Sequence, residues 1–238
     1  SMPIDTGYYL DTTNGKNLFV GKAINSFYGY KYAGIWSTAE AEEAAKYGSE
    51  PGLIKVETIE KDGDGGVHPY GTDDRMVLGH SNPNWVLGFT NNFTYKGFDL
   101  SIHTMARLGQ MIQSDMLSRY TASDDITVNQ IAGTDYWTEN NQGAYFPRPG
   151  SAKKQSAYYS ALTFVDGSFF KIKNITLGYT LPTSLVKKAF MERVRFYATA
   201  YNPVIFCKSI LKDTDPETGG SDAFPTYREF VFGVNVTF

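Results

Sequence analysis

Cysteine is almost missing from this chain, because Cys207 is the only one among 238 residues. An internal disulfide is therefore excluded, and cysteine usage gives no information on the redox compartment. Long apolar runs are missing too, since segments such as Val204–Cys207 fall far short of the roughly 20 residues of a membrane-spanning helix. A helical membrane protein is thus excluded. A transmembrane β-barrel is not, because its strands need only about 9–11 residues each.

The amino terminus has no recognisable signal peptide, because Ser1-Met2-Pro3 begins neither a charged region nor an apolar one. Ser1 ahead of Met2 is typical of a cloning scar. We therefore expect the chain to be an expressed piece of a longer protein.

Charge is also scarce, at 20% of the residues with a net charge of −3, so no nucleic-acid or anionic-lipid surface is predicted. His68, His80 and His103 lie far apart without metal-ligand spacing. The sequence has no nucleophile elbow or phosphate loop, and its paired acids, Asp73-Asp74 and Asp124-Asp125, lack the apolar setting that raises a carboxyl pKa. We do not expect an enzyme.

Aromatic residues, in contrast, are abundant: 17 Tyr and 16 Phe are among the 15% of aromatic positions. The last nine residues show the clearest pattern, because a strand alternates its side chains between two faces. One face of this terminal strand carries Phe230, Phe232, Val234, Val236 and Phe238. Such alternation at a terminal aromatic strand is typical of a transmembrane β-barrel, in which one face meets lipid and the other meets the lumen.

The same alternation predicts further strands. A hairpin is expected with its turn at Lys96-Gly97. One face of its first strand carries Trp85, Leu87, Phe89, Asn91, Phe93 and Tyr95, and one face of its second carries Phe98, Leu100, Ile102, Thr104, Ala106 and Leu108. Additional strands are predicted at 169–181, 194–201 and 230–238, with a weaker one at 27–36. Short helices are expected at 37–47, where Ser37 or Thr38 is the N-cap and Gly48 ends the helix, and at 184–190.

Connections between these strands alternate in length. Those at 37–84, 109–168 and 202–229 are long, whereas those at 96–97 and 182–193 are short. Compact soluble domains rarely contain structureless loops longer than about 12–15 residues, but outer-membrane barrels combine long extracellular loops with short periplasmic turns. The predicted fold class is therefore all-β, with about six antiparallel strands from an outer-membrane barrel and long extracellular loops.

Five segments carry a family resemblance. They are 27–36 (FYGYKYAGIW), 82–93 (NPNWVLGFTNNF), 135–138 with 146–149 (DYWT and FPRP), 164–179 (FVDGSFFKIKNITLGY) and 201–203 (YNP). Together and in this order, they resemble the carboxyl-terminal part of SusC/RagA-type TonB-linked outer-membrane transporters. The resemblance extends from about residue 20 to residue 238.

This resemblance implies a barrel of roughly 22 strands with a plugged lumen, located in the cell outer membrane of a Gram-negative bacterium. It implies import of oligosaccharides or peptides with a SusD-type surface lipoprotein, energised through TonB, and contact with outer-membrane lipid. Residues 1–238 would then be the carboxyl-terminal part of the barrel. The plug domain, the segment that contacts TonB and most strands would be absent from this piece.

An acidic loop within 37–84 resembles the start of an EF-hand-type calcium loop. Residues 60–67 place acidic side chains at relative positions 1, 3 and 5 and a glycine at position 6, but Gly71 stands where the closing acid is expected. In the family the corresponding stretch often closes with an acid ahead of an arginine, which corresponds to Asp74 here. A calcium ion is therefore predicted at Glu60, Asp62, Asp64 and Asp74. The alternative is a solvated acidic turn without an ion.

Four loop aromatics, Tyr136, Trp137, Tyr145 and Phe146, are candidates for stacking on the sugar rings of a ligand. The favoured alternative is that they fix a long loop to the barrel rim.

A different function also stays open, in which the chain is a soluble β-sandwich that binds carbohydrate and holds a structural calcium. Solubility without detergent distinguishes the two, because an unclosed piece of barrel exposes lipid-facing side chains and an unpaired edge.

Overall fold

The structure is a computed structural model, and it describes residues 3–4, 8–9, 19, 21–61, 63–120, 131–151, 157–211, 214–224 and 226–238. The strands are β1 Pro3–Ile4, β2 Tyr8–Tyr9, β3 Ser26–Gly29, β4 Tyr32–Ile35, β5 Ile54–Val56, β6 Met76–His80, β7 Trp85–Tyr95, β8 Phe98–Leu108, β9 Met111–Gln113, β10 Phe164–Asp166, β11 Phe169–Thr180, β12 Arg193–Phe206 and β13 Glu229–Thr237. The α-helices are α1 Ala41–Lys46, α2 Asp115–Tyr120 and α3 Thr183–Val186. Short 3₁₀ turns occur at Thr38–Glu40, Thr72–Asp74, Tyr159–Leu162, Lys187–Ala189, Ser209–Leu211 and Pro216–Thr218.

The chain divides into two compact units. The loop unit comprises residues 1–82, 111–166 and 219–222, and the sheet unit comprises 83–110, 167–218 and 223–238. Among the described residues, no helix is long and apolar enough to cross a membrane.

The sheet unit is built on one antiparallel sheet with the strand order β13-β12-β11-β8-β7. The predicted hairpin is confirmed, because β7 and β8 pair from Trp85 opposite Leu108 to Tyr95 opposite Phe98. Lys96 and Gly97 both have positive φ, 47° and 88°, as the favoured two-residue hairpin turn requires. The terminal strand pairs with β12 along its whole length, from Glu229 to Thr237.

Strand register gathers the apolar side chains onto one face of this sheet. One row of directly opposed residues crosses four strands, from β13 to β8. It consists of Phe232, Ala198, Leu177 and Leu100. This apolar face is open rather than covered: Trp85 is 67% exposed and Phe232 is 79% exposed. Members of the face with large exposed side chains are Trp85, Leu87, Phe89, Phe93, Tyr95, Phe98, Leu108, Phe170, Leu177, Phe196, Val204, Phe206, Phe230, Phe232, Val234 and Val236.

The opposite face of the sheet is polar and internally bonded. Arg195 on β12 donates from Nε to Asp99 on β8 at 2.9 Å, and the hydroxyls of Thr176 and Thr199 lie 2.9 Å apart across β11 and β12. The fold class is confirmed: the chain is all-β and antiparallel, with an apolar side and a polar side to its main sheet. The part of the sheet present here does not close into a barrel.

Two strand predictions need correction. The weak strand at 27–36 is split into β3 and β4, which pair with β6 and β5 in the loop unit, so five strands rather than about six form the sheet. Strand β12 continues past the predicted end at Tyr201 to Phe206. Asn202 has a positive φ of 49° beside a register shift, yet Val204 and Phe206 stay on the same face as Phe196. The alternation changes phase on β11 instead, between Ile172 and Asn174.

The β-sandwich alternative does not fit this arrangement. A sandwich buries the apolar face of one sheet against that of another, but the other sheets among the described residues have only two strands each. The apolar face of the large sheet is exposed instead.

The long loops form a folded unit with its own core, whereas the sequence predicted loops with little structure beyond one short helix. The pairs β3–β6, β4–β5 and β9–β10 are antiparallel hairpin-like ladders. Trp36 is 0% exposed at the centre of the core. The predicted helix at 37–47 is present as the 3₁₀ turn Thr38–Glu40 followed by α1, with Gly48 at a positive φ of 67° at its end. Buried apolar residues of the unit include Tyr30, Ile35, Ala44, Leu53, Ile54, Val56, Ile112, Leu117, Ala161, Leu162 and Val165.

A buried lysine attaches the connection between β12 and β13 to the polar face. The side chain of Lys171 is only 2% exposed and pairs with Asp215 and, at 2.9 Å, with Glu217, while the more exposed Lys173 contacts Glu217 at 2.8 Å. Removal of one partner from a buried ion pair leaves the other charge unpaired in a poor solvent, which costs about 3–5 kcal/mol.

We therefore expect Lys171→Met to lower the free energy of local opening at residues 214–218 by about 3–5 kcal/mol. Lys173→Met is the matched control and should cost no more than about 1 kcal/mol, as for exposed pairs. Amide hydrogen exchange of this segment measures both values. Equal effects of the two substitutions would contradict the assigned role of Lys171.

Candidate functional site

His68 lies between two carboxylates in the acidic loop. Its Nδ1 is 2.6 Å from Oδ2 of Asp64, and its Nε2 is 2.8 Å from Oδ1 of Asp74. The side chain of Asp74 is fully buried, and Nζ of Lys61 lies 3.5 Å from the same carboxylate. We call Asp64, His68 and Asp74 the acid–histidine cluster.

Backbone amides fix both carboxylates in place. Oδ1 of Asp64 accepts hydrogen bonds from the amides of Lys61 and Gly66 at 2.9 and 2.7 Å. Oδ2 of Asp74 accepts from the amide of Gly71 at 2.7 Å, and its Oδ1 accepts from that of Ile59 at 3.2 Å. Glycines at 65 and 66 have positive φ, 64° and 80°, which lets the loop turn its amides onto Asp64.

The electrostatics favour a protonated imidazole between two ionised acids. Hydrogen bonds to Asp74 and then Asp64 raise the pKa of His68 despite its desolvation. Burial alone would raise the pKa of Asp74, but hydrogen bonds from Gly71, His68 and Ile59 outweigh it and the pKa is lowered. Backbone amides of Lys61 and Gly66 lower the pKa of Asp64. Both ring nitrogens of His68 then act as donors.

This arrangement does not fit a calcium ion as it stands. Calcium takes six to eight oxygen ligands, but Asp64 and Asp74 direct oxygens at His68 and at backbone amides. The described residues contain no group of three or more side chains placed to hold a metal. Glu60 is exposed, and Asp62 lies outside the described residues. Calcium binding at these four positions stays a prediction.

The sequence did not single out His68 as a site residue. His68 is four residues from Asp64 and six from Asp74, and in a loop this spacing does not predict that the three side chains meet. Only the turn around Gly65 and Gly66, together with the 3₁₀ turn at Thr72–Asp74, brings the two acids to the same imidazole.

The four predicted ligand-stacking aromatics lie in and around the core of the loop unit. Trp137 is 6% exposed and Phe146 is also buried, and the amide of Trp137 donates to the carbonyl of Phe146 at 2.9 Å. The hydroxyl of the half-buried Tyr145 donates to the carbonyl of Leu162 at 3.0 Å. These contacts lie within the loop unit, and both ligand stacking and attachment of the loop to the barrel rim stay predictions. Tyr136, also half-buried, packs beside Phe146 with a centroid distance of 6.1 Å.

No protein-family model matches the chain, but individual proteins do. TonB-dependent receptor P3 of Formosa agariphila is 28% identical and is matched over 92% of this chain and 22% of its own length. TonB-dependent receptor SusC of Bacteroides thetaiotaomicron is 26% identical over 98% of this chain and 22% of its own length. The RagAB peptide importer in its open-open state shares the fold, with a TM-score of 0.70 and 22% identity over 100% of this chain and 25% of that one.

The chain is thus similar in sequence to TonB-dependent receptors, SusC among them, and shares the fold of part of RagAB. It spans about a fifth to a quarter of the length of the relatives that it matches. These comparisons bear out the predicted resemblance, together with the antiparallel β-fold of these receptors.

The acid–histidine cluster predicts a pH window for the order of the loop that carries it. The raised pKa of His68 gives a stabilisation that is complete below its ordinary value of 6.5 and is lost as the pH rises through the folded-state value. The lowered pKa values of Asp64 and Asp74 give a stabilisation that is complete above 3.8 and is lost at more acidic pH. The loop should therefore be most ordered between pH 3.8 and 6.5.

Hydrogen exchange at the amides of Gly66 and Gly71, corrected for the intrinsic pH dependence, measures this profile in the whole receptor. His68→Gln should remove the loss of protection on the alkaline side and keep the acid side. His80→Gln is the matched control, since the ring of His80 hydrogen-bonds to the backbone carbonyl of Asn82 rather than to a carboxylate, and it should leave the profile unchanged. A flat profile in the unmodified receptor would contradict the assignment.

Calcium binding has a separate test, because an ion at Glu60, Asp62, Asp64 and Asp74 must compete with His68 for the carboxylate oxygens. Titration calorimetry of the receptor with millimolar CaCl₂ should therefore show tighter binding at pH 8 than at pH 6, with proton release. His68→Gln should remove most of this pH dependence. No heat at either pH in either protein would leave the ion-free acidic turn as the correct interpretation.

Proposed function

We propose that this chain forms part of the wall of an outer-membrane TonB-dependent transporter. The single observation that carries the proposal is the two-faced sheet. Its apolar face is broad and exposed, whereas its other face holds Asp99, Arg195, Lys171 and paired hydroxyls. A soluble protein arranges a sheet the opposite way, with the apolar side covered, while a membrane barrel places apolar side chains toward lipid and polar ones toward the lumen.

Strand lengths support the same proposal. Strands β7 and β8 have 11 residues each and β11 has 12, close to the about 9–11 residues that a tilted strand needs to cross a bilayer. Both edge strands, β7 and β13, have one neighbour in the sheet. Because an exposed edge in the hydrocarbon region leaves backbone groups unsatisfied, these edges would pair with further strands of the complete barrel.

The whole receptor would import nutrients. SusC and the RagAB peptide importer are among the proteins similar to this chain, and we infer that the receptor works with a SusD-type surface lipoprotein and takes energy from TonB. Its ligand would be an oligosaccharide or a peptide, with a contact from Tyr136 on the loop unit. Catalysis is not part of this proposal. Comparison of uptake in strains with and without the receptor gene, each with and without TonB, tests the import.

The orientation of the sheet has a direct mutational test on the terminal strand. We expect Phe232→Arg, on the apolar face, to destabilise the protein folded in lipid vesicles by about 2–4 kcal/mol, as for lipid-facing arginines near the bilayer midplane. Val231→Arg is the matched control, because Val231 is adjacent but faces the polar side opposite Thr199. Its cost should be about 1 kcal/mol or less, since surface substitutions away from such features are nearly neutral.

Urea unfolding of the whole receptor from vesicles measures both substitutions under the same conditions. A larger cost for Val231→Arg than for Phe232→Arg would mean that the apolar face is covered by protein, and it would contradict the proposed membrane location of the sheet.

A further inference from the structure

A cavity of about 380 Å³ lies in the loop unit, between the end of α1 and the loop of the acid–histidine cluster. Three tyrosines, Tyr47, Tyr70 and Tyr158, line it together with Glu50 and Leu53. We call it the tyrosine pocket. Its volume is at the lower end of the about 300–1,000 Å³ of small-molecule sites, so it suits a compact ligand such as one sugar unit at the end of an oligosaccharide.

The three tyrosine rings form a continuous row along the pocket. Ring centroids lie 5.5 Å apart between Tyr47 and Tyr70 and again 5.5 Å apart between Tyr70 and Tyr158. The buried indole of Trp36 packs behind Tyr47 at 5.4 Å, and Tyr30 packs against Tyr158 at 4.8 Å. The wall of the pocket is therefore anchored to the core of the loop unit.

Hydrogen bonds hold this row in position. The hydroxyl of Tyr70 accepts from the amide of Val56 at 3.3 Å, and the hydroxyl of Tyr158 donates to the carbonyl of Tyr70 at 3.3 Å. Burial raises the pKa of Tyr70 to about 12, so its ring stays neutral at physiological pH. An aromatic wall that is already fixed loses little conformational freedom when it binds a ligand.

The charge of the pocket decides between two ligand chemistries. A row of tyrosines beside a carboxylate suits a quaternary ammonium group when that carboxylate is unopposed. Glu50 instead forms an ion pair with Arg148, which compensates its charge. A neutral ligand with hydroxyl groups fits better, because its apolar C–H face can pack on the tyrosine rings while its hydroxyls hydrogen-bond with Glu50.

We propose that the tyrosine pocket binds a neutral hexose unit of an oligosaccharide. The proposal rests on the proposed function, in which the loop unit meets the imported ligand, and it selects carbohydrate rather than peptide as the ligand class. Tyr47 is the residue that defines the site, because its ring joins the pocket wall to the core at Trp36.

The experiment measures binding of methyl glycosides of glucose, galactose and mannose to the whole receptor in lipid nanodiscs, by saturation-transfer NMR and titration. At least one glycoside should bind. Tyr47→Leu keeps an apolar side chain for the core but removes the aromatic face, and should weaken binding about tenfold, as expected for loss of one aromatic contact. Tyr47→Phe keeps the ring and should bind as the unmodified receptor does.

Tyr227→Ala is the matched control, because Tyr227 is an exposed tyrosine of the sheet unit and should leave binding unchanged. Protease resistance of the loops verifies that Tyr47→Leu is folded. Absence of binding by all three glycosides, equal affinity in Tyr47→Leu, or preferential binding of tetramethylammonium would each overturn the proposal. None of these results affects the Phe232→Arg and Val231→Arg comparison, so failure of the pocket is distinguishable from failure of the transporter assignment.

Discussion

The two-residue alternation of β-strands, carried through five paired strands in register, is the constraint on which this structure depends. Because Leu100, Leu177, Ala198 and Phe232 occupy one continuous row, the sheet acquires one apolar side that no other described element covers. Such a surface is unstable in water and stable against hydrocarbon. In the proposed location, the membrane would act as a structural partner of the sheet, equivalent to the second sheet of a sandwich.

The polar side of the sheet is organised by ion pairs. Several of its charged residues are paired, with Arg195 on Asp99 and the buried Lys171 on Asp215 and Glu217. The Lys171 pairs connect the strand to the long segment between β12 and β13. In the proposed transporter this face would meet a water-filled lumen, and we infer that the pairs position a loop more than they stabilise the strands.

Those features of the fold that depend on local periodicity could be predicted from the sequence. The Lys96-Gly97 turn and the face assignments of β7, β8 and β13 follow from alternation and turn chemistry. Prediction failed where tertiary contacts override the local pattern. The alternation of β11 changes phase between Ile172 and Asn174, and 27–36 is divided between two ladders of the loop unit.

The candidate site was harder to predict than the fold. Asp64 and Asp74 were recognised as acidic loop residues, but their contact with His68 depends on backbone turns that carry no periodic signal. Trp137 and Phe146 were recognised as aromatic, but their sequence does not reveal that the long loops condense around a core of their own. Burial is a property of the assembled loops, whereas alternation is a property of each strand.

The central claim, that the apolar face contacts lipid, is tested most directly by the three tryptophans. Trp85 lies on that face and is largely exposed, whereas Trp36 and Trp137 are buried in the loop unit. In the whole receptor reconstituted with brominated lipids, Trp85→Phe should remove a component of the quenched fluorescence, and Trp137→Phe should not. If the Trp85 component is instead quenched by aqueous iodide and unaffected by brominated lipid, the apolar face does not lie in the membrane.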